Sequence, residues 1–410
     1  MRKKIGIYFI GTECAAGGSG RKSVALATKL ASKYDVTLIS DHCATPKELE
    51  NLYGESLRGV KLFELRIPVQ RAALRLVRSR AGRPLRFLRA DSMLTNLRCD
   101  IDRIYHRQVR DLGLDVFINN GFASNMPCPA RCGIYMCMFP HPMKGHPRPD
   151  YGVVHGIYDR IITALCGLTP QILDSYDVIT ANSRFTGEWI EKMWKRRAVV
   201  LYSAASDMGP SGRKQKVIIN VGRFVGPMRS DYKHQLTLLE VFRDLPELHK
   251  DNWELHFIGA LHADEASRRM LDRLRSEADG LPVHLHLDPD FEALRALYRC
   301  ASIYWHATGF GTSAELQPRS QEHFGMTTVE AMSAGAVPVV IDSGGQREIV
   351  EHRVTGFRWK SLDELCEATL FLARDRRALE TFSVRAVSAS AQFGTAAFVS
   401  RLESLLDSLN

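Results

Sequence analysis

Residues 322–338 read EHFGMTTVEAMSAGAVP, and this stretch decides the fold. Upstream, Ile303-Tyr304-Trp305-His306 reads as the end of a buried strand, followed by a Gly, Ser and Thr loop from Gly309 to Ser313. Thr328 to Ala334 then reads as a short helix that Thr327 or Thr328 caps and Gly335 ends. Pro338 to Ile341 returns as the next strand. A helix start preceded by Gly325 offers unpaired N–H groups and a positive dipole end with no Cβ in the way, which makes an anion pocket. Glu322 and Glu330 flank it. Carboxylates repel phosphate, so their task is to accept hydrogen bonds from hydroxyl groups, and an anion beside a polyol points to a nucleotide sugar as the ligand class.

Working outward, 410 residues exceed what one core organises well, so two domains are expected. With 45% hydrophobic and 25% charged residues the composition is that of a globular protein, and no apolar run is long enough to span a bilayer. The formal charge of +9 is clustered: Arg66 to Arg89 holds eight arginines and no acid, interleaved with Leu74, Leu76, Val77, Leu85, Phe87 and Leu88. Such a stretch suits anionic headgroups or a phosphate-bearing acceptor as well as it suits a solvated connector. Nine cysteines without a CxxC pair imply reduced thiols. Cys128, Cys132 and Cys137, near His141 and His146, fit no zinc spacing and read as inert thiols.

The chain opens as a βαβ unit, with a strand at Ile5 to Ile10, a glycine-rich loop at Glu13 to Gly20, a helix at Ser23 to Lys33 and a strand at Val36 to Ser40. Glu13 interrupts the apolar start, so it reads as a strand and not as a leader. Gly17-Gly18-Ser19-Gly20-Arg21-Lys22-Ser23 is neither a P-loop, since Arg21 stands before the Lys-Ser pair, nor a dinucleotide fingerprint, since Ser23 stands where a third glycine belongs. Further strands are Val116 to Asn119 and Gly133 to Met138, the latter running into the loop that carries His141. Val178 to Ser183 and Phe185 to Lys195 follow as strand and helix, with Ser183 as cap. After a linker, Ser203 to Gln215, come strands at Val217 to Val221, Leu255 to Ile258 and Val283 to Leu287. Asp288-Pro289-Asp290 and Asp100-Ile101-Asp102 match the DxD pattern of metal-dependent sugar transferases. The first reads as a turn and the second as a helix that would point its carboxylates apart, so no essential metal is expected. Glu364 to Ala373 and Ala396 to Leu409 are the last helices.

At Glu322 and Glu330 the sequence resembles the retaining GT-B glycosyltransferases of family 4, whose signature is two glutamates separated by seven residues. Phe324-Gly325, Glu330-Ala331-Met332, Gly335 and Pro338 match as well. The likeness spans most of the chain, closest over Val217 to Phe357 and thinnest over Arg66 to Val109; Arg347 and Thr355 stand where Pro and Asn are commoner. It implies an α/β GT-B fold, two Rossmann-like domains with parallel sheets facing across a cleft. Residues 1–205 form an acceptor-side domain, 206–215 a linker, 216–385 the nucleotide-sugar domain, and 386–410 a terminal helix packing back on the first.

The function implied is transfer of a hexose, mannose or glucose favoured, from a GDP- or UDP-sugar to a hydroxyl of a glycan or lipid-linked acceptor, without a cofactor or nucleic acid. Glu330 would accept the ribose hydroxyls and Glu322 a sugar hydroxyl. Backbone amides at Gly325, Met326 and Thr327, beside Phe324, with the basic pair Arg223 and Lys233, would hold the diphosphate. The loop between that pair is longer than usual, which leaves Arg229 as a substitute for Lys233. His141 would reach the donor sugar, and Gly17 and Gly18 would lie near the donor phosphates. The place of action implied is the cytoplasm, peripheral at the membrane face through Arg66 to Arg89. An epimerase of the same architecture and a non-catalytic nucleotide-sugar binder are the alternatives; a phosphorylase would need a cofactor lysine, for which no motif is present.

Overall fold

A computed structural model describes residues 2–9, 18–40, 45–65, 105–121, 124–141, 143, 168–209, 212–227 and 229–409. Gly17, the basic stretch 66–89, and Asp100 and Asp102 lie outside them.

The first sheet has seven parallel strands in the order β3-β2-β1-β4-β5-β6-β7. They are β1 Lys4–Phe9, β2 Asp35–Ser40, β3 Val60–Glu64, β4 Val116–Asn119, β5 Cys132–Cys137, β6 Val178–Ala181 and β7 Val199–Val200. Central strands such as IGIYF and VFIN are apolar at successive positions because both faces are covered, as a parallel sheet requires. Ile5, Ile7, Val116 and Ile118 pack on one side; Tyr8, Phe117, Tyr135 and Trp194 fill the other. Helix α1 begins at Gly18 and runs to Leu30, five residues before the predicted start at Ser23. Burial of Val24, Leu26, Ala27 and Leu30 outweighs the weak helix propensity of glycine, so the expected loop is shorter and Gly18 belongs to a helix. α2 is Pro46–Tyr53 and α3 Pro170–Asp174. α4, Arg184–Trp194, is capped by Ser183, whose oxygen accepts from the Thr186 N–H.

The second sheet has six parallel strands in the order β10-β9-β8-β11-β12-β13: β8 Val217–Val221, β9 Glu254–Gly259, β10 Val283–Leu287, β11 Ile303–His306, β12 Val337–Ile341 and β13 Phe357–Trp359. Its helices are α5 Gln235–Arg243, α6 Pro246–Lys250, α7 Glu265–Ala278, α8 Phe291–Cys300, α9 Met326–Ser333, α10 Gln346–Ile349, α11 Leu362–Arg374 and α12 Arg376–Ser390. Asp290 is the N-cap of α8, accepting from the Ala293 N–H at 2.8 Å, so the second aspartate of Asp288-Pro289-Asp290 has a structural task.

The chain crosses between the sheets twice, side by side. Ala205 pairs with Gly394, the Ala205 N–H donating to the Phe393 carbonyl. The last helix, α13 Thr395–Ser408, then lies on α1, with Phe398, Leu402 and Leu406 in the core of the first sheet. The first crossing is packed: Leu201, Ala204, Ala205 and Met208 are buried, and Arg295 and Arg299 both donate to the Met208 carbonyl. Since Leu402 is fully buried, Leu402→Ala is expected to lower unfolding stability by about 2–5 kcal/mol in urea titration. A loss under about 1 kcal/mol would mean that the last helix does not hold the first domain together.

Candidate functional site

In an open parallel sheet the ligand crevice lies at the carboxyl ends of the strands where the chain reverses its direction of winding. The second sheet winds outward from β8 to β9 and β10, then jumps back to β11 on the other side of β8. The crevice between β8 and β11 is therefore bordered by Gly222 and Arg223, just after β8, and by His306, the last residue of β11. The Glu322 loop folds over it.

Glu322 is the meeting point. Its Oε2 accepts from Lys233 Nζ at 3.1 Å and lies 3.3 Å from His306 Nε2. The side chains of Glu322 and Lys233 are about four-fifths buried. Burial alone would raise the Glu322 pKa, but the Lys233 charge and the His306 hydrogen bond outweigh it and hold the carboxyl well below the usual range. Burial depresses His306, against the pull of Glu322, so its imidazole tends to the neutral form. The backbone around Glu322 is equally fixed. The Gly345 N–H donates to the Glu322 carbonyl at 2.8 Å, and a Cβ on Gly344, at φ 55°, would stand 2.2 Å from that same oxygen. Gln321 ties in the neighbouring loops, donating to Thr312 Oγ1 and accepting from Ser343 Oγ.

Helix α9 starts two residues earlier than expected, and its cap is Gly325 at φ 115° and ψ 54°, not Thr327 or Thr328. The threonine side chains are drawn elsewhere: Thr327 Oγ1 bonds Tyr304 Oη at 2.7 Å and Thr328 is buried. The N–H groups of Thr328 and Val329 turn back to the Gly325 carbonyl, which leaves those of Met326 and Thr327 at the open end of the helix. Phe324 lies beneath in the core, against Tyr202. Glu330, one turn in and 2% exposed, accepts from Tyr298 Oη at 3.0 Å. Buried polar atoms without a protein partner among the described residues gather here: His306 Nδ1, Thr308 Oγ1, Thr328 Oγ1 and the Gln346 amide. Such a concentration marks a place where a ligand or water completes the bonding.

The basic groups divide. Arg223 donates to Asp231 at 2.7 Å, while Arg229 reaches the other oxygen of Asp231 at 2.9 Å and lies 3.8 Å from Asp264. Burial would raise Asp231, but Arg223 and then Arg229 lower it overall. Lys233 is thus brought to Glu322, and Arg229 is turned toward Asp264. His234, at φ 56°, makes the bend that separates Lys233 from Gln235, whose amide donates to the Arg223 carbonyl.

From the first domain, His141 is buried on the loop after β5, its Nε2 3.3 Å from Asn125 Oδ1 and its carbonyl held by Trp194 Nε1. Two residues before it, Phe139 stacks on His323 with ring centroids 4.2 Å apart. Ser183 Oγ donates to the His323 carbonyl at 2.5 Å, and the N–H groups of Arg184 and Phe185 donate to Glu348. The structure thus brings Glu322, Lys233 and His306 together, places Glu330 one turn inside α9, and seats the His141 loop against His323. His306, Gln321, His323, Asp231 and Tyr298 were not singled out from sequence. His306 carried a legible signal, since it ends a strand that opens onto the glycine loop.

Residues 206–384 match the family described as "Glycosyl transferases group 1". Among curated proteins, the chain is 28% identical over 221 residues to the GDP-Man:Man(3)GlcNAc(2)-PP-Dol alpha-1,2-mannosyltransferase of Dictyostelium discoideum, covering 48% of this chain and 40% of that protein. The enzyme of the same name from Yarrowia lipolytica is 28% identical over 219 residues, 49% and 32% of the two chains. This chain thus spans less than half the length of the curated relatives it matches. Among solved structures, Anabaena Alr3699/HepE in complex with UDP and glucose superposes with a TM-score of 0.64 at 15% identity, covering 100% of both chains. Sucrose-phosphate synthase from Thermosynechococcus elongatus gives 0.65 at 13% identity, covering 100% of this chain and 99% of that one. These superpositions establish the two-domain GT-B fold.

Burial lowers both His323 and His234 to about 4. Between pH 6.5 and 4 the unfolded chain therefore binds more protons at these positions than the folded one, and stability falls as pH drops through that window. His323→Phe keeps a ring against Phe139 without a proton site. Its stability, read by urea unfolding at pH 7 and pH 4.5, is expected to fall less on acidification than that of the unaltered chain, by about 1–3 kcal/mol. Equal acid sensitivity in both would place the proton uptake elsewhere.

Proposed function

We propose that this protein transfers a hexose, mannose favoured, from a nucleoside diphosphate sugar to a hydroxyl of a glycan or lipid-linked acceptor; the match of residues 206–384 to the glycosyl transferases group 1 and the GT-B fold support this reading. The observation that carries the reading is the Glu322 carboxylate, held by Lys233 and His306 at the switch point of the nucleotide-side sheet, beside the Gly325-led helix start. An ionised carboxylate there accepts hydrogen bonds only, which suits a sugar hydroxyl and repels a phosphate. The start of α9 offers the opposite, N–H donors and a positive dipole end, which suits the diphosphate. Arg223 and Lys233 stand as the fixed cations for the charge that gathers on that leaving group. They supply electrostatic stabilisation without a metal ion. Glu330 accepts the ribose hydroxyls in exchange for Tyr298, and His141, from the facing domain, approaches the sugar.

In the reaction the bond from the anomeric carbon to the diphosphate oxygen breaks and a bond to the acceptor oxygen forms on the same face, with retention. The acceptor proton passes to a diphosphate oxygen, so no side chain serves as covalent nucleophile. The GDP-mannose and dolichol-linked glycan in the names of the Dictyostelium and Yarrowia enzymes favour a GDP donor and a lipid-linked acceptor. No helix among the described residues is long and apolar enough to cross a membrane. The basic stretch 66–89 is the proposed contact with an anionic surface on the cytoplasmic side.

The test is thermal unfolding with GDP, UDP and ADP in turn, on the unaltered chain and Glu330→Ala, paired with a transfer assay using the nucleotide sugar that binds. One nucleotide is expected to raise the midpoint, worth about 2.7 kcal/mol at a hundredfold excess over its dissociation constant, and Glu330→Ala to lose most of that gain. Lys233→Ala is expected to lower kcat by about 10²–10³-fold. Donor consumed without acceptor and converted to its epimer would replace transfer with epimerisation. Binding with no donor consumption under any acceptor would leave a binding protein.

A further inference from the structure

A second cluster of chemistry lies apart from the sugar site, on the β9–β10 edge of the same sheet. The parallel register sets His284 directly beside His256, and Glu254 two residues before His256 shares its face. Glu254 Oε2 is 3.1 Å from His256 Nε2 and 3.5 Å from His284 Nε2, and one ligand atom from each of the three lies within 4.8 Å of the others. A tetrahedral zinc ion with bonds of about 2.0–2.1 Å sets neighbouring ligand atoms about 3.3 Å apart, and the two distances to Glu254 bracket that value. We propose that Glu254, His256 and His284 form a binding site for a divalent transition-metal cation of the zinc type, with its fourth position open to water.

Two further features support it. His256 is 9% exposed, and its other nitrogen, Nδ1, lies 3.1 Å from His286 Nε2 with the two rings stacked at 5.0 Å. This is the outer hydrogen bond that fixes the tautomer of a ligating imidazole. With Nε2 on the metal, Nδ1 carries the proton and His286 Nε2 accepts it. Both neutral rings exchange tautomers through solvent, with no net proton gained or lost. The side chains of His284 and Glu254 are 50% and 46% exposed, which gives an ion its entry path.

The location separates this site from transfer. Glu254 and His256 begin β9, whereas the sugar crevice lies at the opposite, carboxyl ends of the strands, and β10 is the outermost strand. A cation here clips the edge strand to its neighbour and takes no part in the reaction. Cys300 is not among the side chains whose ligand atoms gather there, which leaves the ligand set free of thiolate.

The experiment strips a tag-free preparation of the whole chain with EDTA and titrates Zn(II) against a chromogenic chelator, then repeats the loading with Co(II). One ion per chain is expected, with a Co(II) spectrum lacking thiolate charge-transfer bands. His284→Gln, at a half-exposed position, should weaken binding by at least about tenfold and abolish the Zn(II)-dependent rise in unfolding temperature. His286→Ala should weaken it by about 10–100-fold. Nucleotide binding should be unchanged in both. Absence of stoichiometric binding, affinity untouched by His284→Gln, or thiolate bands that vanish in Cys300→Ser would each overturn the assignment.

Discussion

A carboxylate removed from most of its water is stable only if the protein returns what the solvent supplied, and Glu322 is the place where this requirement organises the fold. Lys233 comes from the loop after β8 and His306 from the end of β11, so one anion fastens two strand ends that flank the crevice. Breaking a buried pair from one side costs more than never having made it, because the remaining charge is left unpaired. The surrounding backbone follows from the same need. Glycines at 344 and 345 let the loop after β12 press on Glu322, His323 and Phe324, where any Cβ would collide with main-chain atoms.

The next residue along, His323, transmits this arrangement to the facing domain. Its ring lies on Phe139 and its carbonyl accepts from Ser183, which also caps α4 from within its own domain. Glu348 accepts from the N–H groups of Arg184 and Phe185, so the first turn of α4 is completed by a carboxylate from across the cleft. These contacts join the domains on the cleft side, while the paired crossings at Ala205 and Gly394 join them behind. Separation of the domains about the crossings would expose a helix start and a stacked pair. It would also release the segment that carries Glu322, so cleft closure and the posture of that carboxylate are coupled.

Much of this was legible in the sequence because parallel strands buried on both faces announce themselves as short apolar runs: β4 and β8 were bounded to the residue, and β11 ends at His306 as expected. The glutamate motif was legible because its glycine and proline neighbours impose backbone geometry that few other residues permit. What escaped was tertiary. Nothing local tells that Gly18 to Gly20 will be helical, since the cause is burial of residues further along α1. The caps at Thr327 or Thr328 followed local preference; Thr327 instead bonds Tyr304, a residue of β11, and Gly325 takes the cap. Tyr298 and Glu348 acquire meaning only from partners 32 to 164 positions away, and Asp231 from Arg223 together with its near neighbour Arg229. Residues 264–278 were not read as a helix, although Asp264 caps them and Met270, Leu271 and Leu274 recur at helical spacing.

The pairing of the basic groups bears on how such a site combines binding with turnover. Each cation already has an internal anion: Lys233 has Glu322, and Arg223 shares Asp231 with Arg229. Their side chains are therefore held in place, and for a diphosphate bound as proposed this removes the entropic cost of ordering them on binding. In the proposed reaction the incoming anion does not meet bare charge, because it must compete with a carboxylate for each cation. Ground-state attraction is moderated as a result, whereas the charge that grows as the glycosidic bond breaks draws the same cations more strongly. Interactions that strengthen as charge develops accelerate a reaction, and those already at full strength in the bound substrate do not. The internal carboxylates belong to this balance as much as the basic residues do. Under the proposed function, Glu322, released from part of its hold on Lys233, would then take the sugar hydroxyl for which its acceptor-only chemistry is suited.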